Sequence, residues 1–163
     1  MSFVTEDGTG LSTSNSYVSV AEADAYFLDA TILWVGTNGA KEKALVRATR
    51  TIDLMGGNRF LGIKLVETQA LAWPRDEAYD RDGIELTGIP VYLKRAVYEA
   101  ALQELILEGS TMPNTTQQVK MERVEGAVQV SYVEGSYQGT TFRAIKGWLD
   151  YICKGSGLRV VRV

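Results

Sequence analysis

The 163-residue chain contains no histidine. That removes Ser-His-Asp and Cys-His catalysis and every His-ligated metal site. A single cysteine, Cys153, can form neither an internal disulfide nor a Cys-rich zinc site; this usage suits a reducing compartment. No apolar run approaches the ~20 residues a membrane span requires. The N-terminus has no basic region followed by an apolar one, so no secretory signal and no membrane partner are expected. Residues 1–40 hold no Lys or Arg. Over the whole chain 20 acids exceed 17 bases, which argues against a surface that grips nucleic acid everywhere but leaves room for a local basic patch. What is present suffices for one domain: 45% of residues are hydrophobic, enough for a core.

Periodicity divides the chain. Residues 1–16, rich in Gly, Ser and Thr, read as an extended or mobile lead-in. Ser19-Val20-Ala21-Glu22 is a capping box opening a helix with the stripe Val20, Ala23, Phe27, Ala30, Trp34, while Asp24 and Asp29 lie off it. Asn38 can cap a second helix, Ala40 to Met55, striped by Leu45, Ala48, Ile52 and Met55 and stopped by Gly56-Gly57. Thr68 to Trp73 reads as one or two helical turns ended by Pro74. A third helix from Pro90 to Glu108 buries Leu93, Val97, Ala100, Ala101 and Leu105. The period then becomes two: Val119–Val124 and Val128, Val130, Tyr132 form a hairpin turning at Glu125-Gly126. A last helix carries Phe142, Ile145, Trp148, Leu149 and Ile152. Trp34, Trp73 and Trp148 are the expected large core anchors.

The charge is unevenly spread. Residues 141–163 hold five cations against Asp150, a local +4, which leaves −7 on residues 1–140. Such polarity suits head-to-tail packing of identical subunits, or is chance on a solvated surface. Asp80-Arg81-Asp82-Gly83 resembles a calcium loop, but Ala78 and Ile89 occupy its opening and closing ligand positions, so it reads as a charged turn. No metal or other cofactor is expected, and no enzyme: no acid pair can be shown to converge, and neither Gly56-Gly57 nor Gly155-Ser156-Gly157 fits a phosphate loop. Cys153, with no histidine to activate it, reads as a core or half-buried thiol. The eight tyrosines could stack on bases, but they are not interleaved with a basic run, and core edges or interfaces suit them better.

The ordered set of segments resembles the tailed-phage head-tail connector group, also labelled DnaT-like single-stranded-DNA-binding proteins. The resemblance covers nearly the whole chain. It rests on Glu6-Asp7-Gly8-Thr9-Gly10, Asn15 to Phe27, Trp34, Lys43 to Thr49 with Ile52-Asp53, and above all Gln69-Ala70-Leu71-Ala72-Trp73-Pro74-Arg75. Asp82-Gly83, Ile89-Pro90, Val124-Glu125-Gly126 and Val160-Val161-Arg162 add to it. It implies a structural virion protein, made in the host cytoplasm and placed in the neck. Copies would form a twelve-fold ring under the portal protein, with double-stranded genomic DNA passing through. A downstream stopper or tail-terminator protein would dock beyond.

The expected fold is mainly α: a small helical bundle with a β-hairpin and extended N- and C-terminal arms, all one connector domain over residues 1–163. Its parts are the lead-in 1–16, a helical core 17–109, the hairpin 117–134, a helix 141–154 and an arm 158–163. Leu158, Arg159, Val160, Val161, Arg162 and Val163 are the candidate portal-binding residues; completing the monomer's own sheet is the other reading of that tail. The alternative function is single-stranded-DNA binding in phage replication. The net negative charge weighs against it, since strand affinity is largely electrostatic, and fits a conduit better than a clamp.

Overall fold

The computed structural model describes residues 2–106, 121–123, 129–131 and 143–154. The order is α1 (Val20–Asp29), α2 (Asn38–Gly56), a 3-10 turn (Gly57–Arg59), β1 (Ile63–Lys64), β2 (Arg75–Asp76), α3 (Val91–Ile106), β3 (Met121–Arg123), β4 (Gln129–Ser131) and α4 (Arg143–Leu149). The fold is mainly α, as expected. α3 packs against both α2 and α4.

The capping box forms as read: Ser19 Oγ accepts from the Glu22 amide at 3.2 Å, and the Glu22 carboxylate accepts from the Ser19 amide at 2.8 Å. The stripe of α1 is shorter than predicted. Ala23 and Phe27 are buried, but the helix ends at Asp29 and the chain turns at Thr31, whose φ is 56°. Trp34 returns through that turn to stack on Phe27, ring centroids 4.6 Å apart. Asp24, off the stripe, accepts from Trp34 Nε1 at 2.9 Å and from Lys41 Nζ at 2.8 Å. It therefore ties the turn to α2.

Thr37, not Asn38, caps α2; its hydroxyl accepts from the Ala40 amide at 3.3 Å. Leu45, Ala48 and Ile52 are buried as predicted. The glycine pair ends the helix for two separate reasons. Gly57 adopts a φ of 47°, which disfavours a side chain, and a Cβ on Gly56 would strike the Phe60 ring.

The helical turns expected over Thr68 to Trp73 do not form. Six residues before a proline are too few to nucleate a helix without help, and Gln69 offers the backbone other partners. Its Oε1 accepts from the Val66 amide at 2.9 Å, and its Nε2 donates to the carbonyls of Leu71 (2.8 Å) and Pro74 (3.0 Å). Instead β1 and β2 flank the turn, pairing Ile63 with Asp76 and Lys64 with Arg75. Strands of two residues carry too little periodicity to be read from sequence.

α3 begins one residue after Pro90, whose carbonyl accepts from the Lys94 amide at 3.1 Å. It buries Leu93, Val97, Ala100 and Ala101. β3 and β4 pair antiparallel, with Met121 opposite Ser131 and Arg123 opposite Gln129. That is the predicted hairpin; its Glu125-Gly126 turn lies outside the described residues.

α4 ends at Leu149, short of the predicted end at Lys154. After Leu149 the chain turns, and Ile152 and Cys153 leave the helix to close on the segment after α2. Leu61 N donates to Ile152 O at 3.0 Å, and Lys154 N to Arg59 O at 2.6 Å. Those bonds to another segment replace the last helical turn, and Gly147 weakens the helix before it.

The lead-in has local structure that its composition does not reveal. Residues 2–16 form a loop built round Glu6, whose side chain is buried. It accepts from the amides of Gly8, Gly10 and Leu11, at 2.9–3.2 Å for their closest contacts, and from Ser14 Oγ at 2.7 Å. Thr5 and Ser16 then form a parallel bridge. A buried carboxylate supplied with four donors organises the glycine-rich segment. Of the expected anchors, Trp34 and Trp73 are buried, whereas Trp148 is only half-buried.

Candidate functional site

Two polar constellations stand out, and they differ in what remains free. The first gathers the residues of the most characteristic sequence run. Tyr17 Oη donates to Asp53 Oδ1 at 2.5 Å and accepts from the Trp73 amide at 3.1 Å. Asp53 Oδ2 accepts from the Ala72 amide at 3.1 Å. The Arg75 guanidinium donates to three carbonyls: Leu61 (2.6 Å), Gly62 (2.8 Å) and Ala72 (3.2 Å). Burial pushes the Tyr17 phenol well above its ordinary range, with the Asp53 charge adding to it. Burial also raises the Asp53 carboxyl, against the Tyr17 and Ala72 hydrogen bonds. Arg75 is spent on carbonyls and Tyr17 on its two partners, so the run is a clasp between α2 and the β1–β2 turn. Within it, Trp73 Nε1 alone among the described buried side-chain donors has no hydrogen-bond partner, and that ring is fully buried.

The second constellation lies between α3 and α4. Tyr92, on the first turn of α3, stacks on Tyr151 just past α4, with centroids 4.5 Å apart and planes 8° from parallel. Trp148 stands 6.4 Å from both rings. The Arg95 guanidinium lies 4.9 Å from the Trp148 ring centroid, and that of Arg81 lies 5.6 Å from Tyr151. Tyr92 and Trp148 are half-buried and Tyr151 is exposed. Arg81 donates to the Asp150 carbonyl at 3.2 Å, but no carboxylate pairs with Arg81 or Arg95 among the described residues. Three rings and two guanidiniums without ionic partners thus meet at the surface. Cation–π contact holds the arginines beside the rings, and among the described residues neither guanidinium is within ion-pair distance of a carboxylate.

This cluster revises the reading of the tyrosines. Arg81 and Arg95 are not interleaved with Tyr92 and Tyr151 as a basic run; tertiary packing brings them together. The 3-residue steps Tyr92–Arg95 and Trp148–Tyr151 were the only local signals. Arg143 and Lys146 are exposed on α4. Helical periodicity turns them well away from Trp148, so they are not part of the cluster.

The other singled-out residues have plain positions. Asp80 Oδ1 accepts from the amides of Asp82 and Ile84, each at 2.9 Å, so the Asp80–Gly83 run is a charged turn. No group of three acids or cysteines among the described residues could hold a metal. Cys153 is buried, and burial raises its thiol above the ordinary value. Leu158 to Val163, the predicted portal-binding arm, lie outside the described residues.

Searches of curated proteins and of solved structures found no match to this chain. A family model described as "Putative DnaT-like ssDNA binding protein" matches residues 1–163. With the full length matched, the chain belongs to that DnaT-like family.

Proposed function

We propose that this protein binds single-stranded DNA without catalysis, and that the α3–α4 cluster is a contact surface. The family description supports the reading. The observation that carries it is Tyr92, Trp148 and Tyr151 gathered at the surface with Arg81 and Arg95. Unstacked bases bind on aromatic rings and guanidinium planes, and a phosphate is met by unpaired guanidinium N–H groups. Each stacked base contributes about 1–3 kcal/mol; Tyr92 and Tyr151 cover one face of each other, which leaves their outer faces and Trp148 to meet bases. A local patch of this kind operates on an acidic chain because the ionic atmosphere screens charges more than ~10 Å away at 0.1 M salt. The test is fluorescence anisotropy of a labelled oligothymidylate against the full chain and Trp148→Ala. Tight, salt-sensitive binding that the substitution weakens about tenfold is expected. No binding by either protein at low salt refutes the reading.

The second reading is the structural head-tail connector. It is favoured by Leu28, Leu33 and Val35, which are 80%, 81% and 70% exposed within one eight-residue stretch. Large apolar side chains so displayed suit burial between subunits. The acidic N-terminal region and basic C-terminal region suit head-to-tail contacts. In this reading copies ring the portal protein, the tail Leu158–Val163 acts as an arm, and genomic DNA passes through. Electron microscopy of particles made without the gene tests it. Tailless heads with free tails support the neck role, while normal tailed particles with impaired DNA synthesis support the strand-binding role.

A further inference from the structure

A second surface, apart from the aromatic cluster, is built by the N-terminal loop and α2. A cavity of about 320 Å³ opens between them, lined in part by Phe3, Asn15, Gly39, Glu42, Lys43 and Arg47. Asn15 shapes its loop wall: its Oδ1 accepts from the Val4 amide at 3.0 Å, and its Nδ2 donates to the Ser2 carbonyl at 2.7 Å. Lys43, Arg47 and Arg50 follow one another at steps of four and three, and all three are exposed. That spacing puts them on one face of α2, spanning roughly 10 Å along the axis. None has an ionic partner among the described residues, whose ion pairs are Lys41–Asp24 and Lys94–Glu22. Among the described residues Glu42 is the one acid in the lining, against two cations there and Arg50 one turn on. Ala48 and Ile52 mark the opposite, buried side of α2, toward α3. The cationic face therefore points away from the α3–α4 cluster.

We infer that this cavity and the Lys43–Arg47–Arg50 face form a phosphate-binding site for a nucleotide-bearing ligand. The cations meet phosphate oxygens, and Phe3 supplies an aromatic wall to the cavity. Two sources share that chemistry: successive phosphates of a single strand, and the phosphate of a free mononucleotide. The three-residue reach of the cationic face, longer than one phosphate group, favours the strand. In that form the inference rests on the strand-binding reading above but assigns it a second, separate surface. Two contact surfaces on different sides of a small domain would let one strand wrap it.

The test is a two-dimensional amide NMR titration of the full chain, with the Gly39 amide and the Asn15 side-chain amide as reporters. The probes are an oligothymidylate, thymidine monophosphate and inorganic phosphate, each added separately. Saturable shifts at both reporters with the oligothymidylate, and none with the two small probes, are expected for a strand site. Shifts with thymidine monophosphate as well establish the phosphate site with a free nucleotide as its ligand. Lys43→Gln/Arg47→Gln, changed at positions outside the core, should abolish the shifts. It should also lower the slope of log affinity against log salt by about 0.7 for each phosphate that the variant no longer neutralises. Trp148→Ala should leave the reporter shifts in place, so failure of the aromatic cluster is distinguishable from failure of this site. No shift with any probe, or shifts unchanged in the double variant, overturns the inference.

Discussion

The clasp around Arg75 and the cluster around Trp148 contain the same kinds of side chain and do opposite things. In the clasp, Tyr17, Asp53, Gln69 and Arg75 spend their hydrogen-bonding capacity on one another and on backbone groups of the same chain. In the cluster, Tyr92, Tyr151, Arg81 and Arg95 touch mainly ring faces, and the arginines keep most of their donors. An arginine with three carbonyls in reach is a structural bolt; one resting on an indole with no ion pair among the described residues keeps donors for a phosphate. The lesson is that a memorable sequence run need not be a site. The run Gln69 to Arg75 is needed because a non-helical turn has many backbone groups to satisfy.

The contrast can be broken from the structural side first. Glu6→Ala removes the acceptor of three half-buried amides, Gly8, Gly10 and Leu11, while the Ser14 hydroxyl keeps the Leu11 carbonyl. It should cost roughly 3 kcal/mol of stability in urea unfolding, the upper end for an unsatisfied buried group. A cost under about 0.5 kcal/mol would mean that water replaces the carboxylate and that the loop is not organised by it. Arg75→Lys offers a comparable test of the clasp. An ammonium cannot span three carbonyls, and a loss of about 2 kcal/mol is expected with the aromatic cluster untouched.

On the binding side, Trp148→Ala should weaken oligothymidylate affinity about tenfold, within the range for removing one stacking partner. Trp148→Phe should restore most of it. If alanine lowers stability but leaves affinity unchanged, the cluster is packing and the contrast with the clasp disappears. Arg81→Gln and Arg95→Gln should each reduce the salt slope by about 0.7, whereas Arg75 variants that remain folded should not change it.

Two carboxylates refine the comparison through pH. Burial raises Asp53's folded pKa above its ordinary 3.8, so the folded state binds more protons across that window. Its contribution to stability therefore falls as pH rises from the ordinary value through the folded one. Asp53→Asn should remove that trend in urea unfolding followed across acidic pH. It should also cost about 1 kcal/mol at neutral pH, because an amide cannot accept from both Tyr17 and Ala72 as the carboxylate does.

Glu22 is the opposite and smaller case. Burial would raise its carboxyl, but hydrogen bonds from Lys94 and Ser19 and the Lys94 charge outweigh it and hold the group below its ordinary 4.5. Its stabilisation is present above the ordinary value and is lost as pH falls through the lowered one. The pair is partly exposed, Lys94 Nζ at 2.6 Å from Glu22 Oε1. Glu22→Gln should therefore change stability by under about 1 kcal/mol near neutral pH, with the acid-side loss removed.

Sequence alone determined the helices that carry strong period and clear ends. Ser19 and Glu22 set the start of α1, Gly56-Gly57 the end of α2, and Pro90 the start of α3, because capping and backbone freedom act within one turn. It also determined the β3–β4 hairpin through alternation and, of the two labels carried by the ordered motif set, the DnaT-like one, which a family model matches over residues 1–163. Only tertiary structure decided the rest. Glu6 organises its loop through donors up to eight residues away, and Tyr17 meets Trp73 across 56 residues of chain. The rings of Tyr92 and Tyr151 stack only because α3 and α4 pack together. The reason is one of range. Propensity and capping are local and legible along the chain, whereas a buried polar group or a stacked ring takes whichever partner the finished packing brings within about 3–6 Å.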